Sequence, residues 1–159
     1  MSNKDYNPEY MATAKAESLP ISFKQSVEIC NFIRNKKVND AKKTLMDVSN
    51  MKKAIPFTRF NGDVGHKKGM GPGRYPIKSS EKILKLLESA EANAQFKGLN
   101  TANLVIKYIC ANKAAKAWHF GRKRRRKAKR TNIEVIIQEE RKNKDTKKSS
   151  SKKAVENKK

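Results

Sequence analysis

Apolar residues recur along this chain first at helical and then at alternating spacing. Pro20 and Ile21 lead into Ser22, placed to cap a helix, with Gln25 three residues on placed to reach back to the cap's own amide. Phe23, Val27, Cys30 and Ile33 then share one helical face. A second helix is predicted after Asn39; it turns Ala41, Leu45 and Val48 inward and ends near Asn50. The third and longest begins near Pro76 and runs to Lys97, with Ile83, Leu87, Ala90 and Ala94 on one stripe and Gly98 as its C-terminal cap. Its small alanines permit close approach to a sheet or another helix.

After Asn100 the period becomes two. Leu104, Ile106, Tyr108 and Cys110 alternate with Val105, Lys107 and Ile109, which predicts a strand. A second strand sets Ile133, Val135 and Ile137 against Asn132, Glu134 and Gln138. The stretch from Tyr10 to Leu19 alternates weakly and is expected to add a third. Helices followed by strands give an α+β fold, three helices packed on a small antiparallel sheet. If the two strong strands pair with Ile109 near Ile133, the chain reverses at Gly121, a residue suited to a tight turn. The chain between them is then a long protruding β-hairpin whose limbs of about nine residues reach roughly 30 Å, at about 3.3 Å per residue.

Charge changes the picture more than length does. The 159 residues suit a single domain, but 38 Lys and Arg against 15 Asp and Glu leave a net charge of +23. Such a balance calls for a polyanion, and nucleic acid is the expected one. Lys113 to Arg130 alone carries +10 with no acid, and Arg141 to Lys159 carries +7, leaving +6 for the other 122 residues. The predicted organisation is a globular domain over residues 1–140 that includes a basic arm at 113–130, followed by a basic tail at 141–159. The tail has almost nothing to bury and is expected to be disordered unless bound.

The arm's chemistry suits RNA. Arginine bonds phosphate in a bidentate way and stacks on bases, while lysine offers a point charge. Trp118, His119 and Phe120 add stacking faces for unpaired bases. A merely solvated basic run is the alternative, and the flanking strands argue for a structured limb. Between the second and third helices, Pro56 to Pro76 holds five glycines (Gly62, Gly65, Gly69, Gly71 and Gly73) amid Arg59, His66, Lys67, Lys68 and Arg74. No Gly-Lys-Ser/Thr follows these glycines and no strand of a βαβ unit precedes them, so a nucleotide-binding loop is excluded. The glycines are expected to let backbone approach backbone, with the basic residues meeting phosphates; a plain surface loop is the alternative.

Other chemistries have little footing. Cys30 and Cys110 lack a CxxC or Cys/His cluster and read as small apolar side chains. His66 and His119 sit among basic residues with no carboxylate pair or nucleophile motif beside them, so no enzyme, cofactor or metal is expected. No apolar run approaches the roughly 18 residues of a membrane span, and Met1 to Tyr10 is polar, so an intracellular protein without membrane contact is expected.

Several stretches carry a resemblance. They are Ser22-Phe23-Lys24, Pro56-Phe57-Thr58-Arg59-Phe60-Asn61-Gly62-Asp63-Val64-Gly65-His66 and Gly73-Arg74-Tyr75-Pro76 with Lys78 and Ser79. Leu87-Glu88-Ser89-Ala90-Glu91-Ala92-Asn93-Ala94 with Lys97-Gly98, Asn112-Lys113-Ala114 and Ile133-Glu134-Val135-Ile136 continue it. On these residues the chain resembles the universal large-subunit ribosomal protein family called L-twenty-two in bacteria and L-seventeen in eukaryotes, in its archaeal and eukaryotic form. The resemblance implies a body on the outside of the large subunit of the cytoplasmic ribosome and a β-hairpin that reaches through rRNA to the nascent-polypeptide exit tunnel. Its partners would be large-subunit rRNA, neighbouring large-subunit proteins and the nascent chain, with no homo-oligomer.

The rRNA-binding set is then Lys24, Arg59, Asn61, His66, Lys67, Lys68, Arg74, Tyr75, Lys113, Lys116, Arg122, Lys123, Arg124, Arg125, Arg126, Lys127, Lys129 and Arg130. Trp118, His119, Phe120, Gly121 and Arg122 fall where the family has its hairpin tip at the tunnel. The family's tip often reads Arg-Ala-x-Gly-Arg, from which this sequence departs. Two other function classes stand beside this one. A DNA-binding architectural protein would also use a basic arm, and an RNA-modifying enzyme would need an acid/base pair that the sequence lacks.

Overall fold

The computed structural model describes residues 7–140. In chain order these form β1 (Met11–Leu19), α1 (Phe23–Ile33), α2 (Val38–Ser49), β2 (Ile55–Pro56), β3 (His66–Lys67), β4 (Gly71–Arg74), α3 (Ile77–Phe96), β5 (Leu104–Lys113) and β6 (Thr131–Glu139). The predicted tail at 141–159 lies outside the described residues, as does the start of the polar N-terminal stretch.

β1, β6 and β5 pair antiparallel in that order, so the last strand in sequence is the central one. Its pattern explains why: Ile133, Val135 and Ile137 are buried while Asn132, Glu134 and Gln138 are only half covered, the alternation of a sheet with one face on the core. All three helices lie against the sheet, with α3 over β1 and α1 over β5. Ala90 and Ala94 of α3 and Ala12 of β1 are fully buried, so small residues on both sides let helix and strand approach closely. Asn93 Nδ2 donates to the Thr13 carbonyl at 2.9 Å across that junction. The Leu99 amide bonds the Ala94 carbonyl and the Gly98 amide bonds Gln95, closing α3 where the sequence placed its cap.

Several expectations need correction. Ser22 is the residue before α1, but its side chain makes no capping bond. Gln25 instead accepts from Ser79 Oγ at 3.3 Å, and Ser26 Oγ donates to the Ser22 carbonyl at 2.9 Å. The inward face of α1 is Ser26, Ile29, Cys30 and Ile33, with Phe23 and Val27 half-buried. A serine whose hydroxyl is satisfied locally takes a core position, and this turns the helix away from the face its apolar residues suggest. α2 begins at Val38, before the predicted start, because Val38 is fully buried beside Ala41 and Leu45.

In β5 the alternation breaks at Lys107. Ile106 pairs with Ile137 and Tyr108 with Ile136, so Lys107 is the extra residue of a bulge. Beyond it Ile109 continues the buried set of Leu104 and Ile106, while Tyr108 and Cys110 face the half-covered side. Pairing is therefore Ile109 with Val135 and Ala111 with Ile133, not Ile109 with Ile133. The glycine-rich segment is more than a loop, since β2, β4 and β3 pair antiparallel into a small second sheet. No helix among the described residues is long and apolar enough to cross a membrane.

Candidate nucleic-acid interface

Beyond Lys113 and Thr131 the regular strand pairing ends, and the chain continues outward as an arm held by scattered bonds between its limbs. The Ala114 amide donates to the Arg130 carbonyl at 3.3 Å, Ala128 to Ala117 at 2.8 Å and His119 to Arg126 at 2.9 Å. Trp118 bridges Lys127 between the last two. The chain then turns through Gly121–Lys123, with Arg124 bonding back to the Gly121 carbonyl and Arg126 to Lys123. Gly121 has φ +64, a left-handed conformation that a side chain would resist. The reversal thus spans Phe120 to Arg125, with Trp118 and His119 on the limb below it.

The arm's side chains have little to do with the body. Phe120 is 94% exposed and Trp118 61% exposed, the latter with Lys127 Nζ 4.2 Å from its ring centre. Lys116, Arg122, Lys123, Arg124, Arg125, Arg126, Lys127 and Lys129 are all exposed, and none forms an ion pair with a carboxylate among the described residues. The ion pairs there belong to the body, Lys15 with Glu134 and Lys42 with Glu91. Arg130 differs from its neighbours, since it is half-buried and its Nη1 donates to the Ser18 carbonyl at 2.9 Å. It anchors the arm's base to β1.

A second basic surface lies at that base, and the residue that builds it was not legible as functional in the sequence. Glu28 of α1 is 1% exposed. Its Oε1 accepts the amides of Arg59 at 2.9 Å and Phe60 at 2.7 Å, and its Oε2 accepts the amide and hydroxyl of Thr58 at 3.1 and 3.2 Å. A buried carboxylate satisfied by three backbone amides is a rigid anchor. It holds the 58–60 segment so that Arg59 projects into solvent and Phe60 meets Phe23 edge-on, ring centres 6.4 Å apart. The signal available was a single acid embedded in Val27-Glu28-Ile29-Cys30, where a solvated carboxylate would not be expected.

Cations gather on these rings. Lys24 Nζ and the Arg59 guanidinium stand 5.6 and 5.5 Å from the Phe60 centre, and Lys113 Nζ is 5.5 Å from that of Phe23. Arg74 lies 5.9 Å from the Phe57 centre and donates to the Asp63 carbonyl at 3.3 Å, while Lys67 lies 5.4 Å from that of Tyr75. Asn61, His66 and Lys68 are exposed on the same small-sheet segment. The expected approach of backbone to backbone at the glycines is not found: a Cβ on Gly62, Gly65, Gly69 or Gly71 would meet nothing within 4 Å, and one on Gly73 would meet side chains first, Met70 Sδ at 2.9 Å and Lys67 Cγ at 3.1 Å.

The titrating groups shifted in the body have structural causes. Burial, with a smaller contribution from Cys110, pushes the Cys30 thiol up to about 12. Lys36 is lowered by burial and then by Lys53; both ammonium groups stand over the Phe32 ring, at 3.6 and 5.9 Å. Among the described residues no three His, Cys, Asp or Glu side chains gather as a metal cluster.

Compared with known protein families, residues 14–138 match the model of "Ribosomal protein L22p/L17e". The chain belongs to this family. The matched span runs from within β1 to near the end of β6 and so takes in all three helices, the small sheet and the whole arm. Relatives named "Large ribosomal subunit protein uL22" agree along nearly their full length. That of Methanoculleus marisnigri is 43% identical over 139 residues, covering 82% of this chain and 91% of its own. That of Methanoregula boonei is 44% identical over 138 residues, covering 81% and 90%, and that of Archaeoglobus fulgidus 42% over 147, covering 86% and 95%.

Proposed function

We propose that the chain is a structural constituent of the large subunit of the cytoplasmic ribosome. It binds large-subunit rRNA, stabilises the rRNA fold during assembly, and extends its hairpin to the wall of the nascent-polypeptide exit tunnel. The observation that carries this reading is the arm: a hydrogen-bonded limb from Ala114 to Arg130 whose exposed cations have no carboxylate partner among the described residues. Such a limb is self-repelling in water and is relieved between phosphate backbones. Its contribution is positional and electrostatic, with no catalytic step. Phosphate and shape contacts dominate because A-form grooves hide base edges. The rRNA ligands are the basic residues of the arm together with Lys24, Arg59, Asn61, His66, Lys67, Lys68, Arg74 and Tyr75, and the reversal at Phe120 to Arg125 is the part that reaches the tunnel. Neighbouring large-subunit proteins and the nascent chain complete its partners.

Sedimentation of cell lysate tests this. The chain should travel with the large subunit through a moderate salt wash, and a variant lacking Ala115 to Arg130 should be lost from it. A full-length chain found only at the top of the gradient would contradict the reading.

A further inference from the structure

The arm does not meet the small sheet flush. Where they join there is a cleft of about 530 Å³, within the roughly 300 to 1,000 Å³ of small-molecule pockets. Three separate parts of the fold deliver cations to it: Lys24 from the first turn of α1, Arg59 and Arg74 from the small-sheet segment, and Lys129 from the descending limb of the arm. Phe60 supplies an aromatic wall and Asp63 a carboxylate. The cleft is built rather than incidental, because the buried Glu28 fixes the backbone of Arg59 and Phe60 from beneath.

We propose that this cleft holds one unpaired nucleotide everted from an RNA helix. The inference rests on the RNA-binding reading above and adds a ligand to it. Each wall matches one part of a nucleotide. Four cations suit the two phosphates that flank an everted residue, and the Phe60 ring would stack its base once Lys24 and Arg59, which stand 5.6 and 5.5 Å from the ring centre, turn to those phosphates. Phe60 is the discriminating feature, and Asp63 lines the cleft beside it. A carboxylate opposes a bare phosphate, but it accepts hydrogen bonds from a ribose 2′-hydroxyl or an exocyclic amine. A continuous duplex backbone would use the cations and leave the ring idle. The arm would then thread between helices while the cleft at its root fixes register on a single bulged residue.

The test uses the full chain and two RNA hairpins identical except for a one-nucleotide bulge. Wild type should bind the bulged RNA about tenfold more tightly, the contribution of one stacked base. Phe60→Leu, which keeps apolar bulk against Phe23, should abolish the preference, read as the ratio of the two affinities, and Phe60→Trp should restore it. Replacing Arg122, Lys123, Arg124, Arg125 and Arg126 by alanine should weaken both RNAs alike and leave their ratio unchanged. Adenosine monophosphate at the RNA concentration should not compete. Equal affinity of wild type for the two hairpins would overturn the cleft assignment while sparing the RNA-binding reading. Binding to neither would overturn both. A preference that survives Phe60→Leu, or displacement by the free nucleotide, would also overturn it.

Discussion

The carboxylate of Glu28 accepts the backbone amide of Phe60 at 2.7 Å, at a site with 1% exposure, thirty-two residues away along the chain. One acidic side chain thereby ties α1 to the segment that presents Arg59. Glu28→Gln keeps the shape but faces an amide NH2 toward backbone donors, leaving at least one of them unmet. We expect a loss of about 1 to 3 kcal/mol, the cost of a buried unsatisfied polar group. Glu28→Ala should cost more, since it abandons three amides. Denaturant unfolding checks both, and midpoints unchanged from wild type would show that the anchor contributes nothing.

Cys30 gives a pH dependence whose sign is fixed. Its thiol is raised from an ordinary 9.0 to about 12, chiefly by burial, so the unfolded chain releases this proton at lower pH than the folded one. The stabilisation is complete below about pH 9 and is lost as pH climbs toward 12, by up to about 1.4 kcal/mol per unit. Cys30→Ala should flatten that part of the stability profile. Parallel profiles for wild type and variant between pH 9 and 11 would refute this.

Deleting Ala115 to Arg130 and closing the strands with a short turn should leave the body folded. No residue of that segment belongs to the buried cluster, and the chief bond it shares with the body is that of Arg130 to the Ser18 carbonyl. A cost of about 1 kcal/mol is expected. Retained far-UV signal and a cooperative melt would agree; a collapsed spectrum would mean that the arm supports the fold.

The body was legible where one physical signal acted alone. Ile133, Val135 and Ile137 of the central strand and the Ile83-Leu87-Ala90-Ala94 stripe follow from spacing, and Gly121 from its conformational freedom, although the reversal it opens is centred beyond it because Ile109 pairs with Val135. The signal failed where two causes compete. Lys107 bulges out of β5 where the α1–α2 connection pairs with it, through the Asn35 amide to the Ile106 carbonyl at 2.9 Å and the Ile106 amide to Lys36 at 3.0 Å. Periodicity cannot report a bond from elsewhere in the chain. Ser26 occupies a core position that its polarity disguises, and Glu28 does so more strongly. At the interface the basic residues were visible by type, but their separation into an outward arm, an anchoring Arg130 and a cleft around Phe60 depends on tertiary geometry.

The central claim is that the arm lies among packed rRNA strands. Amine-reactive labelling of Lys116, Lys123, Lys127 and Lys129, compared between the free chain and purified large subunits, tests it most directly. All four are exposed in the chain alone and should label readily there. In the assembled subunit they should be protected. Equal labelling of these lysines in both states would place the arm in solvent and contradict the account.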